Sequence, residues 1–338
     1  KKDSSVNHIP PYLITSFIDE YGIVKDLDPF WGRNGCENCF GQLDGDDPLS
    51  NEFETPGTGF MPDIWIGRFP AKNVADVRAI VAKILRYETG SEMPKGWSSS
   101  ALFLADNYNL ANGSTDKAGD FVKFSEDVID LLPAGIQPDR LYYDPTASDN
   151  EPWRESNSVE MRSQAIDRLN KGPGLVTYNG HSAQWLWAKT SDCAIPLRSG
   201  EVCPEDQLNP NPYIFGLYDV DRLTNRDQPY IGISMTCLTS QFFQAANSGT
   251  VLDERAFVHP DGGAAAVWGP AGLSVATGHD DLQYGFHREL WRIREAGAGE
   301  ARLGQLIEAG YLENMAPDTV NRCVDSNGDG TGDTGKCV

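Results

Sequence analysis

A cysteine, a histidine and an aspartate each follow a predicted β-strand in this chain. Cys237 ends the apolar run that starts at Tyr230, His181 ends the run from Gly174, and Asp106 follows the run from Ser100. Parallel strands of an open α/β sheet bring their carboxyl ends to one edge, where the chemistry gathers. An imidazole beside a thiol generates the nucleophilic thiolate, and an acid can orient the imidazole. The pattern therefore predicts nucleophilic catalysis by Cys237, with His181 as base and Asp106 as orienting acid.

The backbone near these residues is suited to a peptide substrate. Gly180 precedes the histidine and permits a close backbone approach. N–H groups near Gly180 and Cys237 can form an oxyanion hole, which binds the negative oxygen of a tetrahedral intermediate. Trp185 and Trp187 follow the histidine and either line a pocket or pack in the core.

The seven cysteines of the chain also single out Cys237. The other six form three local pairs, Cys36/Cys39, Cys193/Cys203 and Cys323/Cys337. Local pairs indicate an oxidising compartment, and a cysteine left over is a candidate reactive thiol. The alternative is a buried structural thiol, because free cysteine is among the most buried residue types. A thioredoxin-like redox role for Cys36 and Cys39 is disfavoured, since that motif belongs at a strand–helix junction and here lies in a Gly-rich loop.

Hydrophobic periodicity predicts the elements that position these residues. The predicted strands cover 63–69, 100–105, 140–143, 174–181, 230–237 and 264–268. The predicted helices cover 72–87 (with a buried face), 120–132, 158–170, 218–223 and 281–296. Strands that alternate with helices predict an α/β fold with a mostly parallel sheet covered on both faces.

Composition limits the partners. The net charge is −21, from 49 acidic and 28 basic residues. This argues against nucleic acid and anionic membranes as ligands and fits an extracellular, calcium-rich setting. No apolar stretch reaches the roughly 18 residues of a membrane span. The first residues carry neither an initiator Met nor a signal-peptide pattern, so we expect a mature or trimmed product that is secreted or surface-exposed.

Residues 313–338 are predicted to form a separate acidic, Gly-rich tail or linker. Oxygen-bearing side chains occupy every second position of its centre: Asp325, Asn327, Asp329, Thr331 and Asp333. This spacing lets a tight loop wrap its oxygen ligands around a hard cation such as Ca²⁺. It is similar to the first half of an EF-hand loop or to a thrombospondin type 3 repeat, and Lys336 at the twelfth position excludes a complete EF-hand. The alternative is a flexible acidic tail. A second acidic cluster is either a calcium site or an exposed turn: Asp44, Asp46 and Asp47.

Four blocks of sequence, in order, resemble the gingipain-like cysteine peptidases, in the clan that includes caspases, legumain and clostripain. The blocks are Asp63–Arg68 with the helix that follows, Thr177–Ser182, Ile231–Cys237, and Trp268–Ser274 with Gly278–Asp280. Thr177–Ser182 is similar to the family's strand ending in the catalytic histidine, with Ser182 in place of a second glycine. The resemblance runs from roughly Ile9 to Leu290. It implies a caspase-haemoglobinase-like three-layer sandwich over residues 1–312.

The resemblance also implies roles for individual residues. Cys237 would be the nucleophile, His181 the base and leaving-group acid, and Asp106 the third acid. Asp120 would lie at the base of a pocket for a basic P1 residue, with Asp116 as the other choice. Asp120 also has a structural role available at a helix N-terminus. Substrate contacts are expected from three further residues: Gly180, Ser182 and Trp185.

The implied activity is that of a secreted endopeptidase that forms an acyl-thioester and cleaves after Arg or Lys. Family members carry sheet strands upstream of the Ile9–Pro11 block. We therefore expect a cleaved N-terminal fragment of the same precursor to stay bound as a separate chain. The alternative function is a catalytically degenerate, calcium-stabilised cell-surface or matrix module. The presence of both Cys237 and His181 favours the enzyme.

Overall fold

The computed structural model describes most of the chain between residues 9 and 315. The described ranges are 9–14, 16–18, 24–26, 33–43, 61–89, 96–110, 114–145, 153–190, 213–244, 249–274, 276, 278–297 and 299–315. The Cys193/Cys203 and Cys323/Cys337 pairs, the Asp44 cluster and the 313–338 tail beyond Met315 lie outside these ranges.

The strands and helices alternate along most of the described chain. The strands are β1 (Leu13–Ile14), β2 (Ser16–Ile18), β3 (Val24–Asp26), β4 (Asn34–Gly35), β5 (Ser100–Ala105), β6 (Gln137–Tyr143), β7 (Arg154–Glu155), β8 (Leu175–Asn179), β9 (Ser182–Ala183), β10 (Leu186–Trp187), β11 (Phe215–Gly216), β12 (Tyr230–Met235) and β13 (Ala264–Trp268). The helices are α1 (Val74–Thr89), α2 (Phe121–Ile129), α3 (Ser158–Asn170), α4 (Leu217–Val220), α5 (Leu252–Val258), α6 (His279–Glu295) and α7 (Leu303–Met315).

Six strands form one parallel sheet at the centre of the molecule. Their order is β13-β12-β8-β5-β6-β7, and every neighbouring pair is parallel. Strands β6 and β7, which follow β5 in the chain, lie on one side of it in the sheet. The later strands β8, β12 and β13 lie on its other side. The strand order therefore reverses between β5 and β8. In open α/β sheets ligands bind outside the carboxyl ends of the strands at this switch point.

Side-chain alternation along the strands creates a core on each face of the sheet. On β5, Leu102 and Leu104 are buried with Met161 of α3. Phe103, on the opposite face of the same strand, is buried with Phe121 of α2. A third cluster unites β12 with α6 and α7: Ile233, Met235, Phe286, Ile293 and Leu306. The predicted three-layer α/β sandwich is confirmed.

The helices that flank the switch point begin at side-chain caps. The Asp120 carboxylate accepts a hydrogen bond from the Lys123 N–H at the start of α2. The Asn157 side chain accepts from the Val159 and Glu160 N–H groups at the start of α3. Such caps satisfy N–H groups that have no partner inside the helix, and they fix where the helix starts.

Helix α1 is attached to α5 by one buried lysine. The Lys83 ammonium donates to the carbonyls of Ala256, Phe257 and Gly262 at the end of α5 and just after it. The side chain is only 2% exposed. Burial, assisted by the charge of Arg86, lowers the pKa of Lys83 to about 7.

The structure corrects two predictions around α1. Residues 63–69 form no strand, and the Asp63 N–H bonds instead to the Gly41 carbonyl in a neighbouring turn. Side-chain contacts hold this segment: Arg68 pairs with Glu37, and the Trp65 indole N–H donates to Glu308 of α7. The predicted buried face of α1 is also wrong for most of its members, because Ile80 is buried whereas four residues are more than a third exposed: Val74, Val77, Val81 and Leu85.

Two helices were missed by the periodicity argument, namely α5 and α7. Helix α7 extends past residue 312 to Met315, and the division into a domain of residues 1–312 and a tail stays a prediction. The Cys36–Cys39 disulfide is formed, in a short 3₁₀ turn that follows β4. None of the helices in the described ranges combines the length and apolar character that a membrane span requires.

Candidate active site

The three predicted residues lie together at the carboxyl edge of the sheet, beside the switch point. Register pairs Asn179 of β8 with Ala105 of β5 on one side and with Met235 of β12 on the other. Asp106 follows β5 directly, whereas His181 and Cys237 each lie two residues beyond their strands. Parallel register therefore brings an acid, an imidazole and a thiol to one edge, as the sequence predicted.

The His181 ring is exposed on one side and held on the other. Its side chain is 53% exposed, and its Nε2 atom lies 2.8 Å from Oδ2 of Asp116. The Phe121 ring packs edge-on against the imidazole, with the ring centroids 5.4 Å apart. An orienting carboxylate and an aromatic wall restrict the ring while leaving Nδ1 without a hydrogen bond to any described residue. The arrangement suits a base that exchanges protons with a substrate.

Asp106 contacts the backbone of His181 rather than its ring. Its Oδ2 atom accepts from the His181 N–H at 3.3 Å, and its Oδ1 atom accepts from the Asn107 N–H at 2.9 Å. Burial raises the pKa of Asp106 to about 6, opposed by these N–H groups and by the charge of His181. The contact with the imidazole that we expected from Asp106 is made by Asp116 instead, because both carboxylate oxygens of Asp106 are engaged by backbone N–H groups.

Gly180 is required by packing. A Cβ atom at this position would lie 2.5 Å from the Cβ atom of Asp106 and 2.5 Å from the Tyr178 hydroxyl. The Tyr178 hydroxyl in turn donates to the His181 carbonyl at 2.5 Å. The absence of a side chain at Gly180 therefore lets the end of β8 pack against Asp106, and the close approach of a peptide substrate stays a prediction.

Cys237 is a free thiol, and it is the only free cysteine among the residues the structure describes. Its Sγ atom donates to the Ser274 carbonyl at 3.3 Å and lies 3.7 Å from the Ser274 hydroxyl. The same hydroxyl donates to the Thr236 carbonyl. In this state the loop after β13 holds the thiol, and His181 does not.

Ser182, the residue that follows the histidine, contacts the nucleophile's backbone. Its Oγ atom accepts from the Cys237 N–H at 3.0 Å and from the Thr236 hydroxyl at 2.6 Å. It donates to the Cys237 carbonyl. A single hydroxyl therefore links the turn after β8 to the turn after β12.

Asp120 and the two tryptophans after His181 were the other candidates for substrate contacts. Asp120 caps α2 through Oδ1 and is adjacent to Phe121, the residue that packs on His181. Trp185 is 45% exposed, with its ring edge-on to Tyr213 at 6.5 Å. Trp187 is buried and stacks on Tyr178, so of the two tryptophans only Trp185 is available to a ligand.

The described part of the chain contains no group of three or more His, Cys, Asp or Glu side chains arranged to hold a metal. The predicted calcium ligands of the tail lie outside it.

Sequence reasoning missed two contacts of the site. Asp116 was considered for substrate binding, and its bond to the imidazole depends on the fold of the loop after β5. In that loop the Asp116 N–H bonds to the Tyr108 carbonyl, and Asn109 pairs with Thr115. The sequence analysis named Ser274 only as the last residue of the Trp268–Ser274 block and gave it no role. Its place near the thiol is a long-range contact that periodicity does not encode.

Two solved structures of a gingipain share the fold of this chain. The Arg-specific cysteine proteinase gingipain R (RgpB) superposes with a TM-score of 0.55 and 17% identity, covering 83% of this chain and 56% of that one. The complex of the Porphyromonas gingivalis RgpB pro- and mature domains gives a TM-score of 0.54 and 16% identity, covering 83% and 57%. At this identity the likeness establishes the fold, and the chain spans little more than half the length of these relatives.

A comparison with curated proteins found no significant match. The sequence model of peptidase family C25 matches residues 1–331, almost the whole chain. This match agrees with the resemblance seen in the sequence and with the Cys237 and His181 placement described above. The chain therefore belongs to peptidase family C25, the gingipain-like cysteine peptidases.

Proposed function

We propose that this protein is a secreted cysteine endopeptidase that hydrolyses peptide bonds through an acyl-thioester on Cys237. The observation that carries the proposal is the placement of a free thiol and a half-exposed imidazole at the ends of adjacent parallel strands, next to the switch point. Proteins and peptides are the substrates that this chemistry implies.

The reaction would begin with a rotation of the thiol. Sγ leaves the Ser274 carbonyl and turns towards His181, whose Nδ1 atom accepts the proton because Nε2 already bonds to Asp116. The thiolate attacks the scissile carbonyl carbon, forming an S–C bond and an oxyanion. The oxyanion then collapses, the C–N bond breaks, and the His181 imidazolium gives its proton to the leaving amine. Water attacks the thioester with His181 as base, releasing the carboxylic acid and restoring the thiol.

A basic P1 residue is the specificity that we propose. Asp120 supports it, because its cap uses only Oδ1, while Oδ2 makes no hydrogen bond to the described residues. Asp120 directly precedes Phe121, whose ring packs against the His181 imidazole. The net charge of −21 also favours cationic ligands. The related structure carries the description Arg specific, which agrees with this preference.

Active-site labelling tests the activity and the specificity together. We expect peptidyl chloromethyl ketones with Arg or Lys at P1 to alkylate Cys237, as located by peptide mapping, and to leave Cys237→Ala unlabelled. Asp120→Asn is the matched variant, because an amide oxygen still caps α2 while the charge is lost. It should lower labelling by basic compounds and leave labelling by a leucyl compound unchanged. No labelling of the reduced wild-type protein by any compound would favour the degenerate module.

Calcium and secretion are further parts of the proposal. The five oxygen-bearing side chains from Asp325 to Asp333 form a donor set that suits a hard cation, which would stabilise the tail. The Cys36–Cys39 disulfide supports an oxidising compartment. Calorimetric titration of the full chain with Ca²⁺ should give binding that Asp329→Asn weakens. Equal binding by both proteins would contradict the assignment of the tail.

We also propose that a cleaved N-terminal fragment of the precursor stays bound. Large apolar side chains of the segment before α1 support it, because they are 45–50% exposed: Ile64, Trp65 and Phe69. The RgpB complex of pro- and mature domains is a precedent in a protein of this fold. Native mass spectrometry of protein expressed from the full precursor should show a two-chain assembly that separates in SDS. A single chain in both measurements would refute this partner.

A further inference from the structure

The Ser182 hydroxyl uses its whole hydrogen-bonding capacity on the nucleophile's turn. A hydroxyl has one proton to donate and two lone pairs to accept with. Ser182 donates its proton to the Cys237 carbonyl and accepts from the Thr236 hydroxyl and the Cys237 N–H. The group is therefore fully satisfied in this state, and a released Cys237 N–H would have to find another acceptor.

The Cys237 N–H is the donor that the chemistry needs. Attack by Sγ creates an oxyanion next to the backbone of the nucleophile, where N–H donors stabilise it from about 2.7 to 3.1 Å. The Ser182 Oγ atom lies 3.0 Å from the Cys237 nitrogen. Relative to this donor, the hydroxyl oxygen occupies the place of the substrate oxyanion.

We propose that Ser182 is a positioning residue that masks the oxyanion-hole donor in the resting enzyme and is displaced by the oxyanion during catalysis. The proposal rests on the proposed peptidase function and adds a step to it. The exchange is non-covalent: the Cys237 N–H changes acceptor from Ser182 Oγ to the substrate oxygen, and no proton is transferred. A charged acceptor forms the stronger hydrogen bond, so displacement becomes favourable only once the tetrahedral centre has formed.

A merely structural hydroxyl predicts the opposite effect. If Ser182 only braces the turn, its removal loosens the oxyanion hole and weakens binding of transition-state analogues. If Ser182 masks the donor, removal frees the N–H in advance and strengthens that binding. The two roles therefore differ in sign.

The test compares Ser182→Ala and Ser182→Gly with wild type, and Thr236→Val is the matched control. Thr236→Val deletes a hydroxyl from the same network without contacting the oxyanion donor. The first readout is the inhibition constant of peptide aldehydes with Arg, Lys or Leu at P1, which form a tetrahedral hemithioacetal. The second readout is the rate of alkylation by iodoacetamide, which displaces iodide at a saturated carbon and forms no oxyanion.

We expect both Ser182 variants to bind a given aldehyde about fivefold more tightly than wild type, the equivalent of one net hydrogen bond. Thr236→Val should stay within about twofold of wild type, and alkylation rates should be unchanged in all three variants. Aldehyde binding by Ser182→Ala that is equal to or weaker than that of wild type would overturn the proposal. The Ser182→Gly measurement decides in the same way if Ser182→Ala does not fold.

Failure of the proposed function has a different signature. If wild type and every variant leave all the aldehydes unbound while iodoacetamide still alkylates Cys237, the peptidase chemistry itself is refuted, and the Ser182 proposal with it. If wild type binds an aldehyde and the Ser182 variants do not bind it more tightly, the Ser182 proposal alone fails.

Discussion

The two halves of the site differ in how they hold their reactive group. The imidazole of His181 is half-exposed and contacts a carboxylate and an aromatic ring. The thiol and backbone of Cys237 lie among hydroxyl groups, from Ser182 on one side and Ser274 on the other. The base is therefore already oriented for proton transfer, whereas the nucleophile and its N–H are engaged by neutral partners. The step that activates the resting enzyme belongs to the Cys237 half.

The largest effect is expected on the His181 half. Asp116→Asn removes the charge opposite Nε2, so the imidazolium formed during attack loses its stabilisation. We expect kcat/KM to fall by at least about 10-fold, with about 10⁴-fold as the upper bound from the corresponding change in serine peptidases. Steady-state hydrolysis of a chromogenic peptide measures it. Asp127→Asn is the control, since it neutralises a carboxylate of α2 that pairs with Lys123 rather than with the imidazole. Equal losses of kcat in the two variants would contradict the role of Asp116 in stabilising the imidazolium.

An intermediate effect concerns Asp106, which accepts a hydrogen bond from the His181 N–H. Its folded-state pKa of about 6 lies above the ordinary aspartate pKa of 3.8, so the native state binds more protons between these values. The contribution of the protonated Asp106 carboxyl to the free energy of unfolding is fully present below pH 3.8 and is lost as the pH rises through about 6. Relative to Asp106→Asn, the free energy of unfolding of wild type should fall by roughly 2 to 3 kcal/mol across this interval. Urea denaturation at a series of pH values measures the difference, and a constant difference would contradict the burial argument.

The smallest effect is expected on the Cys237 half. Ser274→Ala deletes the hydroxyl that bonds to the Thr236 carbonyl, while the Ser274 carbonyl that holds the thiol stays in place. Because one weak contact to Sγ is lost, iodoacetamide alkylation should accelerate by only about twofold. Ser274→Thr keeps a hydroxyl and serves as control. A slower reaction in the alanine variant would show that the hydroxyl promotes the thiol rather than restraining it.

The strand ends were predictable from sequence, and the contacts between them were not. Apolar runs before Cys237 and His181 identify two strands, and parallel register then places the residues at one edge, which the structure confirms. The partner of the imidazole depends on the backbone path of the loop that carries Asp116, where turn bonds decide the conformation. Periodicity contains no information about such a path.

The segment around Trp65 shows a second limit. Its run of apolar residues from Ile64 to Ile66 predicts a strand, because the pattern reports side-chain polarity alone. In the structure its backbone has no sheet partner among the described residues, and side chains such as Arg68 and Trp65 attach it to neighbouring elements. A strand requires a neighbouring strand at the right distance, which a single segment of sequence cannot reveal.

The three-carbonyl site around Lys83 gives this protein an internal reporter of partial opening. An amine that is 2% exposed is shielded from acylating reagents as long as α1 remains docked on α5. Mass-spectrometric detection of acylated Lys83 would therefore measure the fraction of molecules in which α1 has detached while the sheet is still folded. Its rate of modification, compared with that of an exposed lysine such as Lys123, would time the release of this helix without any engineered probe.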